Sequence, residues 1–178
     1  MIRTLSRALG IGAAALAVAV LAPGCGNTVD DQPVVASGDS LCLATYQQCI
    51  NPIFNSVLQG RTGTVTCSAG GCHSAATGSG GSFKIIPGAA QNSSDMMSNY
   101  FSAESLTDLD DPIESLLLEK PTATLNTQIG HAGGDVFPNT SDACFVAIQT
   151  WISTRVNSPT DAACASSCVP VDTSTCGY

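Results

Sequence analysis

From residue 41 to residue 58 the segment LCLATYQQCINPIFNSVL sets Tyr46, Ile50, Ile53, Phe54, Val57 and Leu58 on one apolar face at helical spacing. Asp39 or Ser40 supplies an N-cap. Pro52 has no N–H to give, so the helix either kinks there or a second one begins near Asn51. A second helical period runs from about 141 to 156, with Phe145, Ile148, Trp151, Ile152 and Arg155 in register. Asp142 lies in its first turn, where a carboxylate meets the positive end of the helix dipole. The apolar face of this helix requires a partner, and the first helix provides one.

Between the two periods the chain is punctuated by glycine, serine and asparagine, with short helices expected only at 95–101 and 111–118. An irregular middle of this length needs an organising element beyond its own side chains. The acidic run Asp108, Asp110 and Asp111 before Pro112 reads as a solvated helix start, with a Ca²⁺ site as the other reading. After Val156 the tail has no apolar period, and its three cysteines must supply its order.

The first residues carry Arg3 and Arg7, then an apolar run over 8–22, then Pro23-Gly24-Cys25. This is the pattern of an export signal; a membrane span needs about 20 apolar residues. A cysteine after a small residue at the end of such a run resembles the lipobox of bacterial lipoproteins, which implies a lipid anchor on Cys25; ordinary signal-peptidase cleavage nearby is the alternative. The expected organisation is therefore a signal peptide over 1–24, a flexible Gly-, Asp- and Pro-containing tether over 25–39, one domain over 40–157 and a cysteine-containing tail over 158–178. The localisation that follows is the periplasmic face or the cell surface, with contact to the membrane through the lipid alone.

Removing Arg3 and Arg7 from the six basic residues leaves four against fourteen acidic ones, a formal charge of about −10. Nucleic acid is excluded as a partner by that balance. An acidic surface keeps an exported monomer in solution and can also steer a basic redox partner protein.

Nine cysteines in an exported chain make disulfides chemically accessible. With Cys25 lipidated, and Cys67 and Cys72 set aside for chemistry, an even six remain: Cys42, Cys49, Cys144, Cys164, Cys168 and Cys176. The eight cysteines after Cys25 are also even, so parity leaves both assignments open. On one helix Cys42 and Cys49 would stand about 10 Å apart along the axis, beyond the usual disulfide reach of about 7 Å, so each is expected to bridge to Cys144 or the tail.

The chemistry-bearing stretch is CSAGGCHSAATGSGG, in which four residues separate Cys67 from Cys72 and His73 follows at once. The other histidine, His131, sits in IGHAGGDVF, where Gly130, Gly133 and Gly134 permit close approach of a bulky group. Two thiols and an adjacent imidazole suit covalent haem attachment, and Gly70-Gly71 can let the longer spacer bulge outward. No nucleophile elbow, zinc-protease helix or phosphate loop appears, so the chain reads as a non-enzyme.

The order NPIF, a cysteine motif ending CH, IIPG, SLLLEKP, HAGG and a helix ending TWIS resembles the class I-like cytochrome c domains, in particular the secreted group called planctomycete-type cytochrome c. The resemblance covers about 42–156. It implies a mainly α, small cytochrome c-like helical domain with long loops, here reinforced by disulfides that the family mostly lacks. It also implies one covalent haem c on Cys67 and Cys72, His73 as proximal ligand, and a proline over the proximal side at Pro87. The sixth ligand implied is His131, with Met96 or Met97 as the thioether alternatives. The implied role is electron transfer between redox partner proteins. Two other readings of the same residues are a tetrahedral zinc site of Cys67, Cys72, His73 and His131, and a cofactor-free disulfide-rich lipoprotein in which Cys67 closes on Cys72.

Overall fold

The computed structural model describes residues 38–122, 125, 130–161, 164 and 168–178. The expected signal peptide over 1–24, the lipid-anchor residue Cys25 and all but the last two residues of the tether lie outside the described residues.

Strand β1, Ser40–Leu41, leads into α1, Leu43–Thr45, with the Cys42 side chain as cap acceptor for the Thr45 N–H. The helix therefore starts later than a cap at Asp39 or Ser40 would place it. A five-residue π turn, Tyr46–Ile50, follows and passes into α2, Asn51–Asn55. Pro52 explains the sequence of turns: it sits in the first turn of α2, where its missing N–H is not required. The Asn51 N–H reaches back five residues to the Tyr46 carbonyl. Because α2 ends at Asn55 and β2, Leu58–Gly60, begins soon after, Val57 leaves the helical face and is exposed, whereas Tyr46, Ile50, Ile53, Phe54 and Leu58 are buried.

β2 pairs antiparallel with β3, Gly63–Val65, and β1 pairs antiparallel with β4, Arg155–Val156. Helix α3 is Ser94–Glu104, capped by Ser93; a 3₁₀ turn at Pro112–Glu114 precedes the short α4, Leu116–Glu119. Helix α5, Ala143–Ser153, is capped by Asp142 and buries Phe145, Ile148, Trp151 and Ile152. Arg155 belongs to β4 rather than to the helix.

The partnership of the first and last helical segments holds. Tyr46 lies against Trp151 and Tyr100 with ring centres 5.3 and 5.6 Å apart, and the Trp151 indole donates to the Cys42 carbonyl at 3.0 Å. Three disulfides, Cys42–Cys164, Cys49–Cys168 and Cys144–Cys176, tie these helices to the tail. Cys42 and Cys49 do not bridge each other, as their spacing on the helix requires. The tail also pairs with β2, where Tyr178 N–H donates to the Gln59 carbonyl and Gly177 takes a φ of +92°.

A mainly α cytochrome c-like domain is not what the chain forms. Of the described structure 35% is helical and 12% is strand, in short pieces. The longest helices, α3 and α5, have eleven residues each, and the other helical pieces are of three to five. The physical reason lies in the middle of the chain. Its Gly-, Ser- and Asn-rich segments carry too little apolar periodicity to bury a helical face, so turns, two small ladders and three cross-links replace helix–helix packing.

Disulfides of this kind form in an oxidising, extracytoplasmic compartment. Among the described residues no helix is long and apolar enough to cross a membrane.

Candidate functional site

The turn that carries Cys67, Cys72 and His73 is held by its own backbone. Ala69 N–H donates to the Thr66 carbonyl, Cys72 N–H to Ala69, and His73 N–H back to Cys67, at 2.9–3.0 Å. The four-residue spacer is thereby wound into the turn. Ser68 is buried and its N–H donates to the Phe54 carbonyl at the end of α2, while Gly70 and Gly71 face solvent. Cys67 and Cys72 are the free thiols among the described cysteines; they do not close on each other.

His73 is fixed from α3. Asn99, fully buried, accepts from Ile86 N–H at 2.7 Å and donates to the Ile86 carbonyl at 3.0 Å, and Ser102 accepts from Lys84 N–H. The segment so anchored pairs with His73: Ile85 N–H donates to the His73 carbonyl at 2.7 Å, and the Phe83 carbonyl accepts from His73 Nδ1 at 3.0 Å. The Phe83 ring packs on the imidazole with centres 4.7 Å apart. Pro87 is exposed and does not line the site; the ring on His73 is Phe83. On another side the backbone of Gly80 passes so close that a Cβ there would enter the His73 ring.

His131 is fixed by a turn of its own. Gly134 N–H donates to the His131 carbonyl at 2.9 Å, and His131 Nδ1 donates to the Gly134 carbonyl at 2.7 Å. Gly134 takes a φ of +75°, which glycine adopts without strain. The residues that follow are tied down at both ends: Arg61 N–H donates to the Asp135 carbonyl, and Val136 and Phe137 N–H donate to the Pro121 carbonyl.

These two turns face each other across one cleft. The His73 and His131 rings are 10° from parallel with centres 6.0 Å apart. In each, Nδ1–H is committed to a carbonyl, so Nε2 of the neutral ring keeps its lone pair, the arrangement found behind metal-ligating histidines. One ion taking a nitrogen from each ring at about 2.0–2.1 Å would hold the ring centres about 6 Å apart. Burial lowers the His73 pKa below the ordinary imidazole value; the carbonyl of Phe83 opposes the fall, and nearby His131 and Lys84 add to it.

The cleft between them encloses about 550 Å³ and is lined by Cys67, Cys72, His73, His131, Val65 and Val136, with Lys120 at its edge. An adjoining apolar space of about 80 Å³ lies against Phe54, Phe83, Leu106, Leu117 and Phe137. Burial pushes the Cys67 thiol up to about 12, with neighbouring Cys72 contributing in the same direction. Met96 is buried in the core and Met97 packs against it, and neither lines the cleft.

The four expected site residues, Cys67, Cys72, His73 and His131, thus meet at one place. They do not converge as a tetrahedral set: among the described residues only Asp142, Cys144 and Cys176 bring three such donor atoms within 4.8 Å. That group is a helix cap beside a disulfide, with Asp142 accepting from Cys144, Phe145 and Gly177 N–H groups. Asp108 likewise closes a turn, accepting from Asp110 and Asp111 N–H at 2.9 Å. Sequence reading missed Gly80, Phe83 and Lys120. Phe83 alone carried a signal, as an aromatic residue within a polar, glycine-rich loop.

Comparison of the chain with protein-family models, curated proteins and solved structures finds no significant match in any of the three.

Proposed function

We propose that the chain is an exported electron carrier with one covalently attached haem c, held by Cys67 and Cys72 and ligated by His73 and His131, on a loop-rich, disulfide-tied fold. The observation that carries this reading is the relation of the two imidazoles: near parallel, 6.0 Å between centres, each Nδ1 engaged by a backbone carbonyl. A cleft of about 550 Å³ containing two free thiols beside those rings supports it further, since that space suits a macrocycle and exceeds what a single ion needs.

In this reading Cys67 and Cys72 would hold the macrocycle through two thioethers, since addition of a thiol S–H across a vinyl group needs no oxidant. The bound iron supplies one-electron chemistry. His73 and His131, whose Nδ1 atoms are held by the carbonyls of Phe83 and Gly134, would hold the iron through their free Nε2 atoms, an arrangement that would favour electron transfer over turnover of a substrate at the metal. Phe54, Phe83, Leu117 and Phe137 exclude water from one edge. Cys25, lipidated after export, anchors the carrier at a membrane surface, and the acidic chain presents itself to basic redox partners.

The test is a pyridine haemochrome assay on denatured protein from a host with cytochrome c maturation. Covalently retained haem, one per chain, is expected. Its absence overturns the reading and leaves the cofactor-free disulfide-rich lipoprotein in its place.

A further inference from the structure

The chain has fourteen acidic residues against six basic ones, yet none of the described residues lining the cleft or its adjoining apolar space is an aspartate or glutamate. Both spaces are lined instead by one cation, Lys120, directly after α4. The other described cations are engaged elsewhere. Arg61 pairs with Asp135 at 3.1 Å, Arg155 pairs with Asp110 at 3.2 Å, and Lys84 Nζ donates to the Gly78 carbonyl. Lys120 has no ion pair among the described residues.

A site that excludes carboxylates and retains one unpaired ammonium at its exposed edge is complementary to a ligand with an apolar body and an acidic end. The mainly apolar pocket takes the body, and the ammonium meets the acid where water still reaches it. We propose that Lys120 is a positioning residue that pairs with a carboxylate of the macrocycle, fixing which edge faces solvent. This deepens the haem reading and rests on it. The pair forms no covalent bond and moves no electron. Its strength is that of an exposed ion pair, about 1 kcal/mol or roughly fivefold in affinity, and it weakens with salt.

The experiment uses the full exported chain produced without the maturation machinery, titrated with ferric protoporphyrin IX and with its dimethyl ester, for wild type, Lys120→Gln and Lys120→Arg. Wild type is expected to bind the diacid better than the diester. Lys120→Gln should lower diacid affinity about fivefold and leave diester affinity unchanged, and Lys120→Arg should restore the preference. In the holoprotein, Lys120→Gln should also move the pH-dependent segment of the midpoint potential to higher pH, because a carboxylate without its cation titrates higher. A preference for the diacid that survives in Lys120→Gln overturns the assignment, as does equal weakening of both macrocycles, which marks a merely structural role. Both results leave the haem reading intact. Failure of wild type to bind either macrocycle overturns this inference, whereas the haem reading itself falls with a negative haemochrome assay on protein from the maturation-competent host.

Discussion

The indole N–H of Trp151 donates to the backbone carbonyl of Cys42 at 3.0 Å, joining residues 109 positions apart inside the core. Both partners are buried, and the same carbonyl also accepts from Tyr46 N–H at 3.1 Å, so Trp151→Phe would remove one of its two donors and leave the other. The expected cost of the lost hydrogen bond is about 1 kcal/mol, read as a lower midpoint in denaturant at unchanged slope.

Cys42–Cys164 and Cys49–Cys168 join the same two segments, with sequence separations of 122 and 119. Once either is closed the other closes an effective loop of only about a dozen residues. In the chain-entropy account, removing either bridge alone should cost about 3 kcal/mol, whereas removing both should cost about 8. Equilibrium unfolding of the two single-bridge deletions and the combined one measures this excess. Additive costs would show that the two bridges do not share a loop.

On the haem reading proposed above, His131→Ala should leave the haem attached through Cys67 and Cys72 while removing one of its two histidine ligands. The ferric spectrum should turn high-spin and respond to added imidazole. A variant that keeps the wild-type spectrum would remove His131 as a ligand.

Gly80 and Gly71 lie in one loop region but should respond oppositely to alanine. A Cβ at Gly80 enters the His73 ring and also meets the Cys72 carbonyl at 2.7 Å, whereas at Gly71 nothing lies within 4 Å. Gly80→Ala is expected to displace His73 and alter the ferric spectrum and potential, and Gly71→Ala to leave both unchanged. Equal spectra for the two variants would show that the loop around Gly80 yields freely.

Backbone N–H donors of Asp111 and Asp110 hold the Asp108 carboxyl below the usual carboxylate range, with Arg155 acting in the same direction. A group depressed on folding stabilises the fold above its unfolded pKa of about 3.9 and loses that contribution as pH falls through the folded value. The difference in melting temperature between wild type and Asp108→Ala should therefore be present at neutral pH and shrink in acid below that range. A difference independent of pH would assign the effect to the turn alone.

Much of this was written in local pattern. The 3.6 period identified α5 and the buried set Phe145, Ile148, Trp151 and Ile152, because helical burial follows from spacing along one segment. Pro52 announced a break near Asn51, since the loss of one N–H is a property of the residue itself. The reach of a disulfide anticipated bridges from Cys42 and Cys49 outward rather than to each other. Cys67, Cys72, His73 and His131 were selected by residue type, by the adjacency of Cys72 and His73, by the glycines around His131 and by a family resemblance.

Other features depend on approaches between distant segments that no local period encodes. Val57 left its predicted face because β2 needed the chain at Leu58, and Arg155 became strand because β1 lay beside it. The mainly helical expectation failed for the same reason: cross-links and short ladders can hold turns that have no helical stability of their own. Which cysteine meets which was decided by how the tail returns. The 6.0 Å separation of His73 from His131 depends on Asn99 anchoring one turn and Pro121 the other, and Lys120 gained its meaning only from the carboxylates that the fold keeps out of the cleft. Sequence alone determined which groups were available for chemistry; tertiary structure decided which of them share a space, because distance between remote residues is set by packing.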